Sequence, residues 1–125
     1  DILVDFIASF EFKHFILCTG YKAEIIERYF KQKGNNLNIE FSREKEPLDT
    51  GGAIKNAENY IKTDPFLALN GDCFCKIDFK KFIKFHLSKN ALISIAVTTA
   101  QDNNNDYGVI TLDNFSQITK FSEKA

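Results

Sequence analysis

A carboxylate that follows an apolar run is the most informative chemical feature of this sequence. Residues 66–69 (Phe-Leu-Ala-Leu) are predicted to form a strand buried on both faces of a parallel sheet, and Asn70, Gly71 and Asp72 follow directly. Ligands of open α/β sheets bind at the carboxyl ends of the strands. A carboxylate beside a glycine at that edge suits a hard cation such as Mg²⁺ and the phosphates it carries. The alternative is an Asn-Gly-Asp turn with a solvated aspartate, and this segment alone does not decide between them.

The second feature is the segment Glu-Lys-Glu-Pro-Leu-Asp-Thr-Gly-Gly-Ala at residues 44–53, which joins a predicted strand to a predicted helix. Thr50 can cap that helix, and Gly51 and Gly52 expose backbone N–H groups. Such a helix start can receive an anion or the polar edge of a base. The alternative is a glycine-rich tight turn with a capping threonine, which is the commoner outcome for a lone motif of this kind.

The third feature is divided between two predicted strands. Tyr107 and Gly108 open one of them, and Glu123 and Lys124 close the next. Pairing of the two strands brings the four residues together near one rim of the sheet. Tyrosine and glutamate can bind sugar hydroxyls, and lysine supplies a point charge for phosphate. The alternative is that the Glu-Lys pair is simply solvated surface.

Alternating elements position these residues. Apolar periodicity predicts helices over residues 2–10, around 25–30 and from about 50 to 61, and a fourth helix that Asp78 caps. Strands are predicted over residues 14–18, 37–41, 66–69, 91–97, 109–112 and 118–121, the last two joined by a turn at Asp113 and Asn114. This order predicts an α/β fold with a Rossmann-like, mostly parallel sheet and flanking helices.

Composition excludes several classes of protein. The chain has 125 residues, 44% of them hydrophobic, with 16 basic and 17 acidic side chains, so it can bury one modest core and is nearly neutral. We therefore expect no nucleic-acid partner and no anionic membrane surface. No apolar run approaches the roughly 20 residues of a membrane span. Three cysteines without a disulfide pattern favour a reducing, cytoplasmic setting, and packing is the expected role of Cys18, Cys73 and Cys75.

Taken in order, the motifs resemble those of the sugar-1-phosphate nucleotidyltransferase family, and most closely its heptose and mannose 1-phosphate guanylyltransferase branch. The matching segments are residues 46–53 (Glu-Pro-Leu-Asp-Thr-Gly-Gly-Ala), 69–72 (Leu-Asn-Gly-Asp), 107–110 (Tyr-Gly-Val-Ile) and 118–124 (Ile-Thr-Lys-Phe-Ser-Glu-Lys), with residues 21–30 as an early βα unit. The resemblance covers essentially the whole chain. It implies the nucleotide-diphospho-sugar transferase fold, with residues 1–125 as a single domain fragment truncated at both ends.

The resemblance also implies a reaction. A phosphate oxygen of a sugar 1-phosphate attacks the α-phosphorus of a nucleoside triphosphate, and pyrophosphate leaves; catalysis relies on positioning and charge neutralisation. By similarity, Asp72 would be the catalytic residue and a ligand of Mg²⁺. The other roles implied are nucleotide binding by Glu44, Asp49, Thr50, Gly51 and Gly52, and sugar-phosphate binding by Asn70, Tyr107, Gly108, Glu123 and Lys124.

Glu44 lies at the position where the family recognises the base. An ionised carboxylate only accepts hydrogen bonds, and guanine offers N–H donors from both its ring and its amino group, so Glu44 favours GTP. Asp49 stands where the family more often has glycine, so the resemblance alone does not establish the backbone geometry of that turn.

The resemblance leaves further expectations and alternatives. The family's glycine-rich phosphate loop, with its arginine and lysine and the central strand before it, is expected to precede Asp1, and a second acidic metal ligand to follow Ala125. The fragment alone is therefore expected to be almost inactive. A homo-oligomer is compatible with the resemblance. The alternatives are a non-catalytic module of this fold that binds a nucleotide sugar, and a dinucleotide-binding oxidoreductase domain, which the sequence Thr19-Gly20-Tyr21 disfavours because G-x-G-x-x-G is absent there.

Overall fold

The computed structural model describes residues 2–34, 36–99 and 108–122 and divides the chain into two units, Asp1–Ala91 and Leu92–Ala125. The first unit contains α1 (Ile2–Ala8), β1 (His14–Thr19), α2 (Ala23–Gln32), β2 (Asn38–Arg43), α3 (Asp49–Asn56), a 3-10 turn (Glu58–Tyr60) and α4 (Phe79–Lys89). The second unit contains β3 (Val109–Leu112) and β4 (Ile118–Ser122). A parallel strand pair flanked by helices confirms the predicted α/β class.

The parallel pair is formed by β1 and β2, which α2 connects. The register runs from His14 opposite Asn38 to Thr19 opposite Arg43. Beyond the strands, the backbone N–H of Glu44 donates to the carbonyl oxygen of Thr19 at 2.7 Å. Because the strands are parallel, their carboxyl ends meet at one edge, and Glu44 follows β2 at that edge.

Aromatic packing forms the core of the first unit. Phe79, at the start of α4, is 1% exposed, and its ring meets that of Phe10 edge-on at a centroid distance of 5.3 Å. Phe6 and Phe12 contact the same ring at 6.0 and 6.3 Å. Such rings bury large apolar areas and prefer edge-to-face contacts. The predicted cap of this helix is confirmed, since the Asp78 carboxylate accepts the Lys81 backbone N–H at 3.0 Å.

Two predicted strands are wrong. Residues 66–69 and 91–97 have no strand pairing among the described residues. Phe66 and Leu69 are 50% and 42% exposed, and Leu92 is fully exposed. The apolar sequence predicted burial, but a strand also needs a neighbour to pair its backbone groups, and no described segment supplies one.

The hairpin of the second unit is confirmed. β3 and β4 pair antiparallel with Val109 opposite Ser122 and an irregularity after Thr111. The predicted turn is closed by Asp113, whose Oδ1 accepts the backbone N–H groups of Phe115 and Gln117, both at 2.8 Å. Across both units, no helix among the described residues has the length and apolar character to cross a membrane.

Candidate functional site

The carboxyl edge of the β1–β2 pair holds a compact group of polar residues. Thr19, the last residue of β1, is 3% exposed, and its hydroxyl has no hydrogen-bond partner within the described part of the chain. Gly20 follows it, and a Cβ there would lie 3.9 Å from the Cβ of Glu44. The two strand ends therefore stand side by side, with Glu44 packed against the end of β1.

Helix α3 packs on one face of this strand pair through three hydrogen bonds. The Cys18 thiol donates to the carbonyl oxygen of Ala53, with sulfur and oxygen 3.7 Å apart. Asn56 Nδ2 donates to Ser42 Oγ at 2.9 Å and to the carbonyl oxygen of Arg43 at 3.3 Å. Cys18 and Ser42 are opposite each other in the register, so both side chains leave the same face of the sheet. That face positions α3.

Glu44 connects the end of β2 with the start of α3. Its Oε2 accepts the backbone N–H of Leu48 at 3.2 Å, which closes the loop between strand and helix. Leu48 is the N-cap of α3, and no side chain caps the helix. The predicted capping role of Thr50 is wrong, because the helix begins one residue earlier, at Asp49, and Thr50 already lies within its first turn.

The first turn of α3 contains the other predicted nucleotide-binding residues. Asp49 has a φ of 55°, in the left-handed region that glycine favours and that aspartate tolerates better than most residues. A Cβ on Gly51 would meet nothing within 4 Å, whereas a Cβ on Gly52 would lie 2.8 Å from the Cβ of Leu48. Gly51 therefore faces open space, and Gly52 is required by close packing against the loop.

The pKa of the Cys18 thiol at this edge depends on burial and on the nearby Glu44. Desolvation raises the pKa of the Cys18 thiol, and the nearby carboxylate of Glu44 raises it further. The thiol is thus a neutral donor at physiological pH, consistent with its contact to Ala53. Cys18, Cys73 and Cys75 are nevertheless all exposed, so the packing role predicted for the three cysteines is wrong.

Asp72 lies in a separate turn that begins at Asn70. The backbone N–H of Cys73 donates to the carbonyl oxygen of Asn70 at 3.4 Å, and its thiol donates to Asp72 Oδ1 at 3.3 Å. That hydrogen bond to Asp72 raises the pKa of the Cys73 thiol. The turn borders a shallow cavity of about 200 Å³ whose lining residues are Ile2, Leu3, Gly71, Asp72, Cys73 and Phe74. An exposed carboxylate is thus presented at an open surface.

The donor set at Asp72 can be compared with what Mg²⁺ needs. No group of three His, Cys, Asp or Glu side chains that could hold a metal occurs among residues 2–34, 36–99 and 108–122. Mg²⁺ commonly binds through one or two carboxylates and takes its remaining ligands from water and substrate phosphates. A single accessible carboxylate fits that mode and does not fit a site built from protein ligands alone.

The predicted site residues therefore fall into four sets. Glu44 and residues 49–52 are brought together at the carboxyl edge of the strand pair. Asn70 and Asp72 share the separate turn, and Gly108 immediately precedes β3 in the second unit. Tyr107, Glu123 and Lys124 lie outside the described residues.

The residues that hold α3 in place were not predicted from the sequence. Ser42 is 1% exposed, and the hydroxyl of this buried residue is satisfied by Asn56. A signal was present: strand alternation places Ser42 and Glu44 on one face, and a buried hydroxyl needs a partner from whatever packs there. What the sequence did not show was which residue of α3 would supply it.

The strand–helix–strand unit, with a glycine-containing helix start at its carboxyl edge, defines a domain of the α/β class. The model of the family described as nucleotidyl transferase matches residues 2–125, and the chain belongs to that family.

Curated relatives carry more specific names. The chain is 36% identical, over 99% of its length, to a D-glycero-alpha-D-manno-heptose 1-phosphate guanylyltransferase of Campylobacter jejuni, of which it covers 53%. It is 37% identical to a mannose-1-phosphate guanyltransferase of Hypocrea jecorina, over 87% of the chain and 31% of the relative.

Solved structures agree with the sequence comparison. The crystal structure of HddC from Yersinia pseudotuberculosis matches with a TM-score of 0.75 and 31% identity, over 98% of this chain and 54% of that one. The same protein complexed with GMP-PN matches with a TM-score of 0.74. The chain thus spans about half the length of the first relatives and structures that it matches.

Proposed function

We propose that the protein joins GTP and a sugar 1-phosphate, a heptose or a hexose, to give a GDP-sugar and pyrophosphate. The observation that carries the proposal is the arrangement of Glu44 beside the open first turn of α3, at the edge where nucleotides bind in α/β folds. The guanylyltransferase names of the relatives support it. The product is an activated sugar of the kind used in polysaccharide assembly.

Glu44 is the residue proposed to select guanine. One carboxylate oxygen accepts the Leu48 N–H, which fixes the side chain, and the carboxylate as a whole has about four acceptor sites. The remaining sites suit the adjacent N–H groups of guanine N1 and N2. A uracil or thymine ring offers one N–H flanked by carbonyl acceptors, which would face the carboxylate unfavourably.

The start of α3 is proposed to hold the rest of the nucleotide. Gly51 leaves open space above the helix, so a ligand can approach the first-turn backbone closely. Thr50 lies in the same turn, and Asp49 gives the chain its left-handed step into the helix. Backbone N–H groups at a helix start favour anions and polar edges.

Asp72 is proposed to bind Mg²⁺, with water and substrate phosphates completing the coordination. When bound, the ion would withdraw charge from the phosphate oxygens around the reacting phosphorus. Asn70 sits two residues before Asp72 in the same turn and is proposed to bind the sugar phosphate. The remaining proposed sugar-phosphate ligands are Tyr107, Gly108, Glu123 and Lys124.

The reaction is proposed to take place in the cytoplasm, where its substrates occur. GTP and sugar phosphates are cytoplasmic metabolites, and three cysteines without a disulfide agree with a reducing compartment. A homo-oligomer is part of this proposal, with no partner beyond the substrates and Mg²⁺ required for the reaction.

The test follows pyrophosphate release by the full-length protein with Mg²⁺, a panel of sugar 1-phosphates, and GTP, UTP, CTP or dTTP. Release that requires both a sugar 1-phosphate and GTP is expected. ITP lacks the 2-amino group of guanine, so it should react with a KM about tenfold higher than GTP, the value of one lost hydrogen bond to a charged acceptor.

Two results would contradict the proposal. A preference for UTP would overturn the role of Glu44 in selecting guanine. Binding of a nucleotide sugar without pyrophosphate release from any nucleotide would favour a non-catalytic module of the same fold. Glu44→Gln provides the matched variant, since it keeps the size of the side chain while it removes the charge and replaces one acceptor oxygen with an NH₂ donor.

A further inference from the structure

Asn56, the last residue of α3, makes two hydrogen bonds to the end of β2. Its Nδ2 donates to Ser42 Oγ at 2.9 Å and to the carbonyl oxygen of Arg43 at 3.3 Å. A backbone carbonyl only accepts, so the group facing it must be the NH₂ of the amide. Ser42 is 1% exposed, which leaves its hydroxyl dependent on a protein partner.

These bonds are made immediately before Glu44. The hydrogen bond from the Glu44 N–H to the Thr19 carbonyl oxygen at 2.7 Å ties the end of β2 to β1. Asn56 ties the same end of β2 to α3. Glu44 in turn holds the beginning of α3 through the Leu48 N–H. Helix α3 is thus tied at its C-terminal end to the last two residues of β2 and at its N-terminal end to Glu44, which follows them.

We propose that Asn56 is a positioning residue for nucleotide selection, a role that rests on the proposed function. Asn56 fixes the distance and angle between the Glu44 carboxylate and the first turn of α3, the two groups proposed to hold the base and the adjoining part of the nucleotide. It does so from the far end of a helix of eight residues, which is about 12 Å long, and it does not touch the nucleotide itself.

The chemistry of the contact makes the inference specific. Asn56→Asp keeps the shape of the side chain, but it places a carboxylate against the Arg43 carbonyl, where two acceptors repel each other. Asn56→Ala removes both donors and leaves the Ser42 hydroxyl without its partner. Both changes should let the end of β2 move relative to α3, and so misplace Glu44 against the bound base.

The experiment measures kcat and KM for GTP and for ITP in the full-length protein and in Asn56→Asp and Asn56→Ala. A rise of about tenfold in the KM for GTP is expected in both variants, with kcat within about threefold and the GTP-over-ITP preference reduced. The KM for the sugar 1-phosphate should stay unchanged. A purely stabilising role would lower the melting temperature and the active fraction but leave these KM values and the preference intact.

Asn59→Asp is the matched control. Asn59 lies three residues further on, is exposed in the 3-10 turn, and has a backbone carbonyl that accepts the Lys62 ammonium at 3.0 Å. The same substitution there should leave every kinetic parameter as in the unmutated protein. Equal effects at the two positions would overturn the inference, because they would reflect added charge alone.

The remaining outcomes separate this inference from the proposed function. If the unmutated protein is active and the Asn56 variants keep its KM and preference, the positioning role is wrong and the activity stands. If neither Asn56 variant folds, Asn56 serves stability alone and the inference is likewise overturned. If the unmutated protein transfers no nucleotide, calorimetric titration with GTP still tests the role: unchanged affinity in Asn56→Asp, or no binding by the unmutated protein, refutes it.

Discussion

Two apolar segments of similar sequence adopt different structures in this molecule: one forms a paired strand and the other does not. β1, with the sequence His-Phe-Ile-Leu-Cys-Thr, is followed by a glycine and pairs with β2 along its whole length. Residues 66–69, Phe-Leu-Ala-Leu, are also followed by a short polar step and a glycine, yet they pair with no described strand and remain about half exposed at Phe66. The difference is the neighbour: β1 has a partner 24 residues further along the chain, delivered by α2, and residues 66–69 have none among the described residues.

The same difference separates the two halves of the candidate site. Glu44 is held by contacts to Thr19 and Leu48, all formed within the β1–β2–α3 region. Asp72 follows the unpaired segment, and the contact described for its carboxylate is the thiol of the adjacent Cys73. The side of the site proposed to bind the nucleotide is therefore held by hydrogen bonds to β1 and to the start of α3, and the carboxylate proposed to bind the metal lies on a segment with little support of its own.

The largest expected effect concerns that carboxylate. Asp72→Asn and Asp72→Ala should each reduce kcat about 10³-fold or more, because the loss of several kcal/mol of charge stabilisation at about 1.4 kcal/mol per tenfold has that size. The melting temperature should hardly change, since Asp72 is exposed. Pyrophosphate release measures the first quantity and circular dichroism the second.

Asp64→Asn is the control for Asp72. Asp64 is also exposed, and it precedes residues 66–69 in the sequence, whereas Asp72 follows them. It should retain full activity. Activity of the Asp72 variants within tenfold of the unmutated protein would contradict the proposed metal role and would leave Glu44 and α3 as the only supported part of the site.

Amide hydrogen exchange tests the comparison of the two segments directly. In a polypeptide of these 125 residues, the paired amides of β1 and β2 should exchange about 10²-fold or more slowly than those of residues 67–69, because a hydrogen-bonded amide exchanges only when local or global opening breaks its bond. Mass spectrometry of peptides covering the segments measures both. Equal protection would contradict the comparison, whereas protection gained only in a longer protein would identify the added chain as the missing neighbour.

Comparison of the sequence-based predictions with the structure shows which elements this sequence predicts well. Elements whose signals are local were predicted correctly: the Asp78 cap, the Asp113 turn and the β1–α2–β2 unit each depend on residues within about one supersecondary unit. Residues 66–69 and 91–97 were predicted wrongly, because apolar composition predicts burial but says nothing about the partner. For the candidate site, the motifs correctly placed Glu44 and residues 49–52 between β2 and the start of α3, and their binding roles stay predictions. The bond from Asn56 to Ser42 could not be predicted, since it depends on how α3 lies on the sheet.

Alanine substitutions of the two adjacent glycines of α3 are expected to have the next largest effect. They should change the stability of the protein in opposite directions. Gly52→Ala places a Cβ 2.8 Å from the Cβ of Leu48, an atom fixed by its backbone, so the loop must shift at a cost of about 1–3 kcal/mol. Gly51→Ala meets nothing within 4 Å and should stabilise the helix by about 0.5–1 kcal/mol. Thermal unfolding measures both changes, and a loss of stability in Gly51→Ala as large as that in Gly52→Ala would show that the first turn of α3 is packed differently.

The smallest effect is expected at Asp49, where this chain differs from the glycine more common in the family it resembles. Its φ of 55° costs most L-residues about 1–2 kcal/mol, and aspartate less because its side chain can bond locally. Asp49→Ala should therefore lower the free energy of unfolding by about 1 kcal/mol.

Asp49→Gly should change it by less than about 0.5 kcal/mol, because relief at positive φ is offset by backbone entropy and by loss of a negative charge at the helix start. Asp49→Asn isolates the charge, since asparagine tolerates the same conformation. Denaturant unfolding of the three variants separates these contributions. Equal stability of the alanine and glycine variants would mean that residue 49 is not left-handed in solution. The loop between Glu44 and α3 would then differ from the one in this structure.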